Sequence, residues 1–181
     1  VGLRKDGTVV AVGDAKLEAC VAQWTSVKQI VYYNWGVLAV RYDGTVLSTK
    51  NGADFASWTN IAKVYCCDEE VIGLKNNGDV VAHGCLDVSS WYDICDIDFG
   101  PFGGAAFAVG LRKDGMIMLA ADMSRGEHIA DALDSLWEQA QKMRNLVSIS
   151  ACHGRFLGVT KDGEVKSASL PRWCNYEQIH N

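Results

Sequence analysis

The chain has 181 residues, of which 49% are hydrophobic and 22% charged, a composition typical of a soluble globular protein and not of a disordered one. Its net charge is −5 and its 17 basic residues are scattered, which argues against a nucleic-acid partner. No apolar run approaches the roughly 20 residues that cross a bilayer, so we expect no membrane association.

The seven cysteines cannot all pair within the chain, and none of them forms a CxxC motif. We therefore expect mostly free thiols, a reducing compartment and a cytoplasmic location. The chain begins at Val1 rather than at a methionine, so the sequence leaves open whether it is a whole protein or a piece of a longer one.

A short motif recurs along the whole chain. The heptapeptide VGLRKDG opens the sequence and returns unchanged, and three variants accompany it: Val1–Gly7, Leu38–Gly44 (LAVRYDG), Ile72–Gly78 (IGLKNNG), Val109–Gly115 and Leu157–Gly163 (LGVTKDG). An apolar run, an Asp-Gly or Asn-Gly pair and a second Val-rich run predict a β-hairpin, with a two-residue type I′ turn. The sequence therefore predicts five hairpins.

A second motif runs in step with the first. It has the form W-x-x-(V/I/Y)-x-x-(I/V) at Trp24, Trp58, Trp91 and Trp173, and Met143 takes the tryptophan position in the remaining unit. One strand position is always small: Gly2, Ala39, Gly73, Gly110 and Gly158. Such a residue predicts the close approach of a neighbouring backbone, as expected of strands crowded around an axis.

Five β units of similar length favour either a radial propeller or a linear solenoid. The chain begins with the second half of a unit and finishes, at WCNYEQIHN, with the first half. Complementary halves predict one blade built from both termini, which closes a ring and removes its open edges. We predict one monomeric all-β propeller domain over 1–181, with units at 24–57, 58–90, 91–142, 143–172, and 173–181 joined to 1–23.

One segment breaks the period. Between the third and fourth units, apolar residues recur at helical spacing, which predicts an amphipathic helix over 125–144. Two interpretations stay open: the helix packs its apolar stripe on a blade edge, or it docks a partner through an exposed Trp137.

The loops between the first two strands of each unit vary while the strands repeat, and divergent loops on a rigid scaffold are where recognition usually resides. They are 32–37, 65–71, 98–107 and 151–156. Aromatic and acidic side chains would bind a basic protein partner. The predicted partner-binding residues are Tyr33, Trp35, Asp68, Glu69, Glu70, Phe102, His153, Arg155 and Trp137. The alternative is that Tyr33 and Trp35 plug the channel and the acids solvate a turn.

Some of these loops also bring together residue types that suit zinc: Cys66, Cys67, Cys152, His153 and His180. Their spacing follows from the repeat and not from a metal motif, so we predict neither a metal nor a cofactor. A Cys152–His153 nucleophile is disfavoured because adjacent strand residues point to opposite faces. No P-loop, GxGxxG, GxSxG or HExxH motif is present, and the sequence therefore predicts no enzyme.

The W-x-x-I-x-x-I motif followed by GLRKDGTVVAVGD resembles the repeat of the regulator-of-chromosome-condensation β-propeller proteins, in their short bacterial form. The resemblance covers nearly the whole chain except about 119–142. Eukaryotic members are seven-bladed exchange factors for a small GTPase, and a secreted bacterial relative inhibits β-lactamases. This chain carries five units, so it resembles either a five-bladed ring or part of a larger one.

The function that we predict is a non-catalytic protein-binding scaffold. Two alternatives stay open: an inhibitor or regulator that covers a partner's active site, and an enzyme acting by nucleotide exchange or by thiol or metal chemistry.

Overall fold

The computed structural model describes residues 1–34, 36–50, 54–102, 105–122 and 127–169, and for 54, 102, 105 and 127–132 it describes the backbone only. The elements in chain order are β1 (Gly2–Leu3), β2 (Val9–Val10), α1 (Ala15–Val21), β3 (Val27–Tyr33), β4 (Gly36–Arg41), β5 (Val46–Ser48), a 3₁₀ helix (Asp54–Ser57), β6 (Ile61–Cys67), β7 (Glu70–Lys75), β8 (Val80–His83), β9 (Ile94–Phe102), β10 (Ala105–Arg112), β11 (Ile117–Ala121), α2 (Glu127–Ala140), β12 (Leu146–Cys152), β13 (Arg155–Thr160) and β14 (Val165–Ser169).

The described strands form five antiparallel sheets that follow one another in sequence. The first sheet pairs β1 with β2, and the second to fifth sheets are the three-stranded meanders β3–β5, β6–β8, β9–β11 and β12–β14. Each sheet packs face to face on the next, in the manner of propeller blades. The predicted all-β class with an inserted helix is confirmed, whereas closure of the ring depends on 173–181, which lie outside the described residues.

All five predicted hairpins are present, but their turn differs from the predicted type I′. The Arg4 N–H donates to the Thr8 carbonyl and the Gly7 N–H to the Arg4 carbonyl, and the other four hairpins repeat this pattern. Only the glycine has a positive φ, which is 81° at Gly7. This is the three-residue loop in which a type I turn is followed by a left-handed glycine.

Each of the first four turns is held by a hydrogen bond from the following sheet. The carbonyls of Gly7, Gly44, Gly78 and Gly115 accept hydrogen bonds from the N–H groups of Val27, Ile61, Ile94 and Leu146, which begin the first strands of the next four sheets. The residue before each of these strands has a positive φ of 53–61°: Ser26, Asn60, Asp93 and Asn145. Asn and Asp tolerate this conformation best among residues with a side chain, which explains why three of these four residues are Asn or Asp.

The core is divided into four clusters, one between each pair of successive sheets. Trp24, Trp58, Trp91 and Met143 occupy equivalent places in them. In the third and fourth sheets the small strand position faces this anchor, and in the fifth sheet Gly158 faces the Leu146 side chain, so here the prediction of a close backbone is wrong. A Cβ at Gly73 would lie 2.7 Å from the Trp58 ring, and one at Gly110 would lie 2.6 Å from the Trp91 ring. The glycine makes room for a side chain.

The inserted helix is an enlarged form of an element that other units also contain. The N–H of each anchor donates to the carbonyl of the residue three positions earlier: Val21, Phe55, Val88 and Ala140. The segment before the anchor is α1 in one unit, a 3₁₀ helix in the next and α2 in the fourth. Within the described residues α2 runs over 127–140, so the predicted end at 144 is wrong, because the chain turns to bring Met143 into the anchor position.

Helix α2 packs its apolar stripe inward. Leu136 and Ala140 are fully buried between the fourth and fifth sheets. The Gln139 amide donates to the Ser169 carbonyl at 2.9 Å and accepts from the Ser169 N–H at 3.2 Å, which fastens the helix to β14. The packing interpretation of the helix is therefore the one that its described residues support.

Candidate functional site

The first strands of the sheets lie side by side and run in the same direction. The Gln29 side chain bonds both backbone groups of Val64, each at 2.8 Å. The Tyr65 hydroxyl donates to Asp96 at 2.8 Å, and the Ala151 N–H donates to Asp98 at 2.8 Å. These bonds join β3 to β6, β6 to β9 and β9 to β12. The hairpins that follow the four strands therefore lie at one end of the molecule.

Two neighbouring hairpins at this end form a groove of about 360 Å³ that we call the acidic groove; its lining residues are Tyr32, Asn34, Asp68 and Glu69. Asp68 and Glu69 are exposed, and Tyr32 keeps 65% of its surface exposed. The Asn34 amide lies 3.4 Å from the Glu69 carboxylate. The groove thus presents two carboxylates beside an aromatic ring.

The backbone around the acidic groove is held in place. Asn34 and Asp68 occupy left-handed turn positions, with φ of 39° and 52°, which Asn and Asp adopt more readily than other residues with a side chain. The Cys66 thiol donates to the Tyr32 carbonyl at 2.7 Å and so ties the two strands together. Burial raises the pKa of this thiol to about 11, so it remains a neutral donor.

The negative charge of the groove contributes to raised pKa values in two neighbouring side chains, Tyr33 and Cys67. Burial raises the pKa of Tyr33, and the carboxylates of Glu69 and Glu70 raise it further. Burial also raises the pKa of Cys67, with the carboxylates of Asp68 and Glu70 adding to the effect. Both residues are therefore neutral at pH 7, and the carboxylates dominate the electrostatics of this hairpin.

Two of the predicted binding residues are engaged inside the fold. Glu70 is buried, and its carboxylate accepts hydrogen bonds from the N–H groups of Cys85 at 2.9 Å and Leu86 at 3.1 Å. Tyr33 is buried too and packs edge-on against Phe55 and His83. Neither side chain is presented to a partner. The alternative that Tyr33 packs within the molecule is the one its surroundings support.

His153 and Arg155 lie in a second groove, of about 460 Å³, whose lining is Ser150, Cys152, His153, Arg155, Phe156 and Leu157. We call it the thiol groove. Its lining shares no residue with that of the acidic groove, so the predicted site is divided. Cys152 Sγ lies 2.9 Å from His153 Nδ1. The expectation that these side chains point apart is wrong, because His153 is a turn residue with a φ of 43° and not part of a strand.

The remaining predicted residues are placed as follows. Trp35 lies outside the described residues, and so does the side chain of Phe102, whose backbone ends β9. Trp137 is half-buried and packs on the core between the fourth and fifth sheets. It also borders a groove of about 340 Å³ between α2 and β11.

Sequence reasoning missed Tyr32 and Asn34. It selected Tyr33 from the pair Tyr32-Tyr33, although alternation along β3 turns one ring outward and the other inward. The available signal was Val31, which stands two residues before Tyr33 on the same face of β3 and packs against the same core cluster.

Two further properties concern only the part of the chain that the structure describes. There, no three His, Cys, Asp or Glu side chains lie close enough together to hold a metal ion. No helix there has both the length and the apolar character needed to cross a membrane.

No protein-family model and no curated protein sequence matches the chain. It is similar to a chain in the crystal structure of Kap60 bound to yeast RCC1 (Prp20), with a TM-score of 0.49 and 12% identity, covering 78% of this chain and 43% of that one. It is also similar to the CRINKLY WD40 ectodomain of the Arabidopsis thaliana receptor kinase ACR4, with a TM-score of 0.49 and 12% identity, covering 83% and 55%. The chain thus spans about half the length of both, and the family resemblance stays a prediction.

Proposed function

We propose that this protein is a non-catalytic scaffold that binds a protein partner at its hairpin end, with a Lys or Arg side chain of the partner seated in the acidic groove. The observation that carries the proposal is the pair of exposed carboxylates, Asp68 and Glu69, beside the exposed ring of Tyr32. The hydrogen bond from the Cys66 thiol to the Tyr32 carbonyl holds the two strands that present them together. Charge-assisted hydrogen bonds to a carboxylate are about twice as strong as neutral ones.

The shape of the groove also favours a long cationic side chain. The Tyr32 ring offers an apolar and π-rich wall for the methylene groups and the cationic head. The Asn34 amide, 3.4 Å from Glu69, helps to orient that carboxylate. Because Asn34 and Asp68 are fixed in left-handed turns, little backbone ordering is required when the partner binds.

The test compares three forms of the protein as bait in a cell lysate: the parent, a site variant Asp68→Asn/Glu69→Gln, and a control variant Asp93→Asn/Glu138→Gln. Both variants lose two exposed carboxylates, and those of the control lie away from the groove. We expect the parent and the control to retain the same partner and the site variant to bind it at least about tenfold more weakly. Equal retention by the site variant would exclude the acidic groove.

The partner's identity then separates a scaffold from an inhibitor. If the captured protein is an enzyme, its activity is measured with and without an excess of this chain. Loss of activity that the site variant does not cause favours the inhibitor, because the same groove would then cover an active site.

The contact between Cys152 and His153 favours a second candidate function, a reactive thiol at the same end. The imidazole Nδ1 lies within hydrogen-bonding distance of the thiol, which is the arrangement in which a base activates a sulfur nucleophile toward an electrophile. Cys67 occupies the equivalent place in the β6–β7 hairpin, but there burial and the carboxylates of Asp68 and Glu70 raise its pKa. Cys67 therefore serves as an internal control for the reactivity of Cys152.

Iodoacetamide measures this difference: the thiolate forms a carbon–sulfur bond, iodide leaves, and the proton passes through His153 to solvent. Peptide mass spectrometry at pH 7 gives the rate at each cysteine. We expect Cys152 to react at least about tenfold faster than Cys67, and His153→Asn to remove most of that advantage. Equal rates at the two positions would rule the second candidate out.

A further inference from the structure

We propose that the outer edge of the third sheet binds an extended segment of a partner protein, which adds to β8 as a fourth, antiparallel strand. A groove of about 500 Å³ lies between β8 and the segment 86–89, and its lining also includes Lys75 and Trp91. We call it the edge groove. It shares no residue with the acidic groove, so this inference is independent of the proposed function.

The backbone of β8 presents unpaired groups to the edge groove. β8 is the last strand of its sheet, and the Lys75 N–H donates to the Asp79 carbonyl at the start of its ladder with β7. The pairs that follow are Leu74–Val80, Gly73–Val81 and Ile72–Ala82. Hydrogen-bonded and non-hydrogen-bonded pairs alternate along an antiparallel ladder. The N–H and C=O groups of Val80 and Ala82 therefore point away from β7, and a further strand can pair with them.

The other outer strands are covered by helices. α1, the 3₁₀ helix and α2 contact β2, β5 and β11, the outer strands that precede them. On β14, the Gln139 amide of α2 bonds both backbone groups of Ser169 and so takes the place of a neighbouring strand. The segment that follows β8, 84–90, contains no helix. Within the described residues, the edge of β8 thus lacks the helical cover of the others.

The wall of the edge groove opposite β8 is fixed by hydrogen bonds. The buried Glu70 carboxylate accepts from the Leu86 N–H at 3.1 Å, which ties this wall to β7. The Ser89 N–H donates to the Asp87 carboxylate at 2.9 Å and closes a turn in the same wall. Both sides of the groove are therefore formed before a partner arrives, so binding costs little ordering of this chain.

The charges of the edge groove favour a basic residue in the bound segment. Lys75 and Asp79 are directly opposite each other on the ladder, so their opposite charges offset one another. Asp87 on the other wall is exposed, and hydrogen bonds from the Ser89 hydroxyl and backbone hold the pKa of its carboxyl below the ordinary value. It is therefore ionised at neutral pH. A Lys or Arg of the bound segment beside Asp87 complements this charge.

The size and charge of the molecule favour a segment of another protein over a second copy of this chain. β8 has four residues, or about 13 Å of strand, so a short extended segment covers it. The wall at 86–89 borders the space beside β8, which leaves less room for a second sheet than for a single strand. Two copies would also bring together chains that each have a net charge of −5.

The first test uses a library of random dodecapeptides displayed on phage and selected on the full chain. The tightest-binding peptide is synthesised, and fluorescence polarisation gives its affinity. We expect a selected sequence with Lys or Arg among apolar residues. We expect Ala82→Pro to weaken its binding at least about fivefold, because proline removes one outward N–H. An edge strand tolerates proline where the N–H faces solvent.

The matched control is Ser167→Pro in β14. Ser167 is exposed and pairs with Leu157, as Ala82 pairs with Ile72, so its N–H also points outward. We expect this variant to bind the peptide as the parent does. Selection of no peptide, or equal binding by Ala82→Pro, would overturn the proposal. The acidic-groove variant Asp68→Asn/Glu69→Gln should keep the parent's affinity, and a loss of binding there would place the peptide in the acidic groove and overturn the proposal too.

Hydrogen exchange measured by NMR on the parent gives a check that needs no variant. In the free protein we expect the amides of Val80 and Ala82 to exchange rapidly and that of Val81 slowly. A saturating amount of the peptide should slow the first two at least about tenfold. Unchanged exchange would contradict strand pairing at β8. Slow exchange in the free protein would also overturn the proposal, because the edge would then already be paired, and the solution mass would tell a second copy from the chain itself.

Discussion

The third and fifth sheets have the same strand order and register but different surroundings. The third sheet lies between two neighbours, and both of its faces contribute to core clusters. The fifth sheet contributes one face to a cluster and leaves Leu157 and Val165 exposed among the described residues. Since no single cluster spans all the sheets, the stability of each sheet depends on the sheets next to it, as in other repeat proteins.

The largest expected effect comes from weakening the enclosed sheet. Ile72→Ala removes a fully buried side chain between the third and fourth sheets, and we expect the free energy of unfolding to fall by about 3 kcal/mol. Urea denaturation measures the loss, and Val12→Ala is the control for an exposed aliphatic side chain. Leu157→Ala sharpens the comparison, because its cost approaches that of Ile72→Ala only when a sheet covers Leu157. A loss below about 1 kcal/mol for Ile72→Ala would show that the third sheet does not depend on its neighbour.

A smaller effect is expected where a glycine makes room for an anchor ring. Gly110→Ala would place a methyl group 2.6 Å from the Trp91 ring, so the ring or the strand must move, and we expect a loss of about 2 kcal/mol. In a Trp91→Leu background the same change should cost less, because leucine leaves space for the methyl group. A double-mutant cycle measures that coupling, and purely additive losses would contradict the role given to Gly110.

The smallest effect concerns the turns, and it distinguishes a turn that the next sheet covers from one that no described following sheet covers. Hydrogen bonds from the Thr45 backbone and hydroxyl hold the pKa of Asp43 below its ordinary value. A bond from the Thr160 hydroxyl does the same for Asp162. A depressed pKa contributes stability that is present above the unfolded-state pKa and is lost as the pH falls through the folded-state pKa.

We therefore expect the melting temperature to fall as the pH drops from about 4 to 2, and Asp43→Asn to flatten part of that fall. Differential scanning calorimetry across this range measures both slopes. Asp162→Asn should flatten the slope less, because no described residue lies within 4 Å of a Cβ placed at Gly163, whereas a Cβ at Gly44 would lie 2.8 Å from the first strand of the next sheet. A slope unchanged by Asp43→Asn would contradict the assignment.

Much of the fold could be predicted because the same turn motif occurs five times in the sequence, so each copy supports the interpretation of the others. The glycine turns, the anchors at Trp24, Trp58 and Trp91, and the amphipathic pattern of α2 each have a sequence signature. The turn type was wrong because a type I turn with a left-handed glycine uses the same Asp-Gly pair as a type I′ turn. The short helix α1 was missed because seven residues carry too little periodicity, although Asp14 is a good N-cap.

The candidate site could be predicted only to the level of its loops. Asp68 and Glu69 were found because charged residues at a hairpin tip face solvent. Glu70 could not be separated from them, because its partners are the backbone amides of Cys85 and Leu86, which lie fifteen and sixteen positions further along the chain. The contact between Cys152 and His153 was missed because it depends on one left-handed residue and not on strand alternation.

The segment before each anchor has one practical consequence. The segment forms a seven-residue helix in one unit, four residues of 3₁₀ helix in the next and a fourteen-residue helix in the fourth, and a buried anchor residue follows it in all three. Foreign peptides, epitopes or whole domains are therefore best grafted at this junction, since natural length variation already occurs there. The turns at Gly7, Gly44, Gly78 and Gly115 are poor sites for a graft, because each glycine carbonyl is hydrogen-bonded to the first strand of the next sheet.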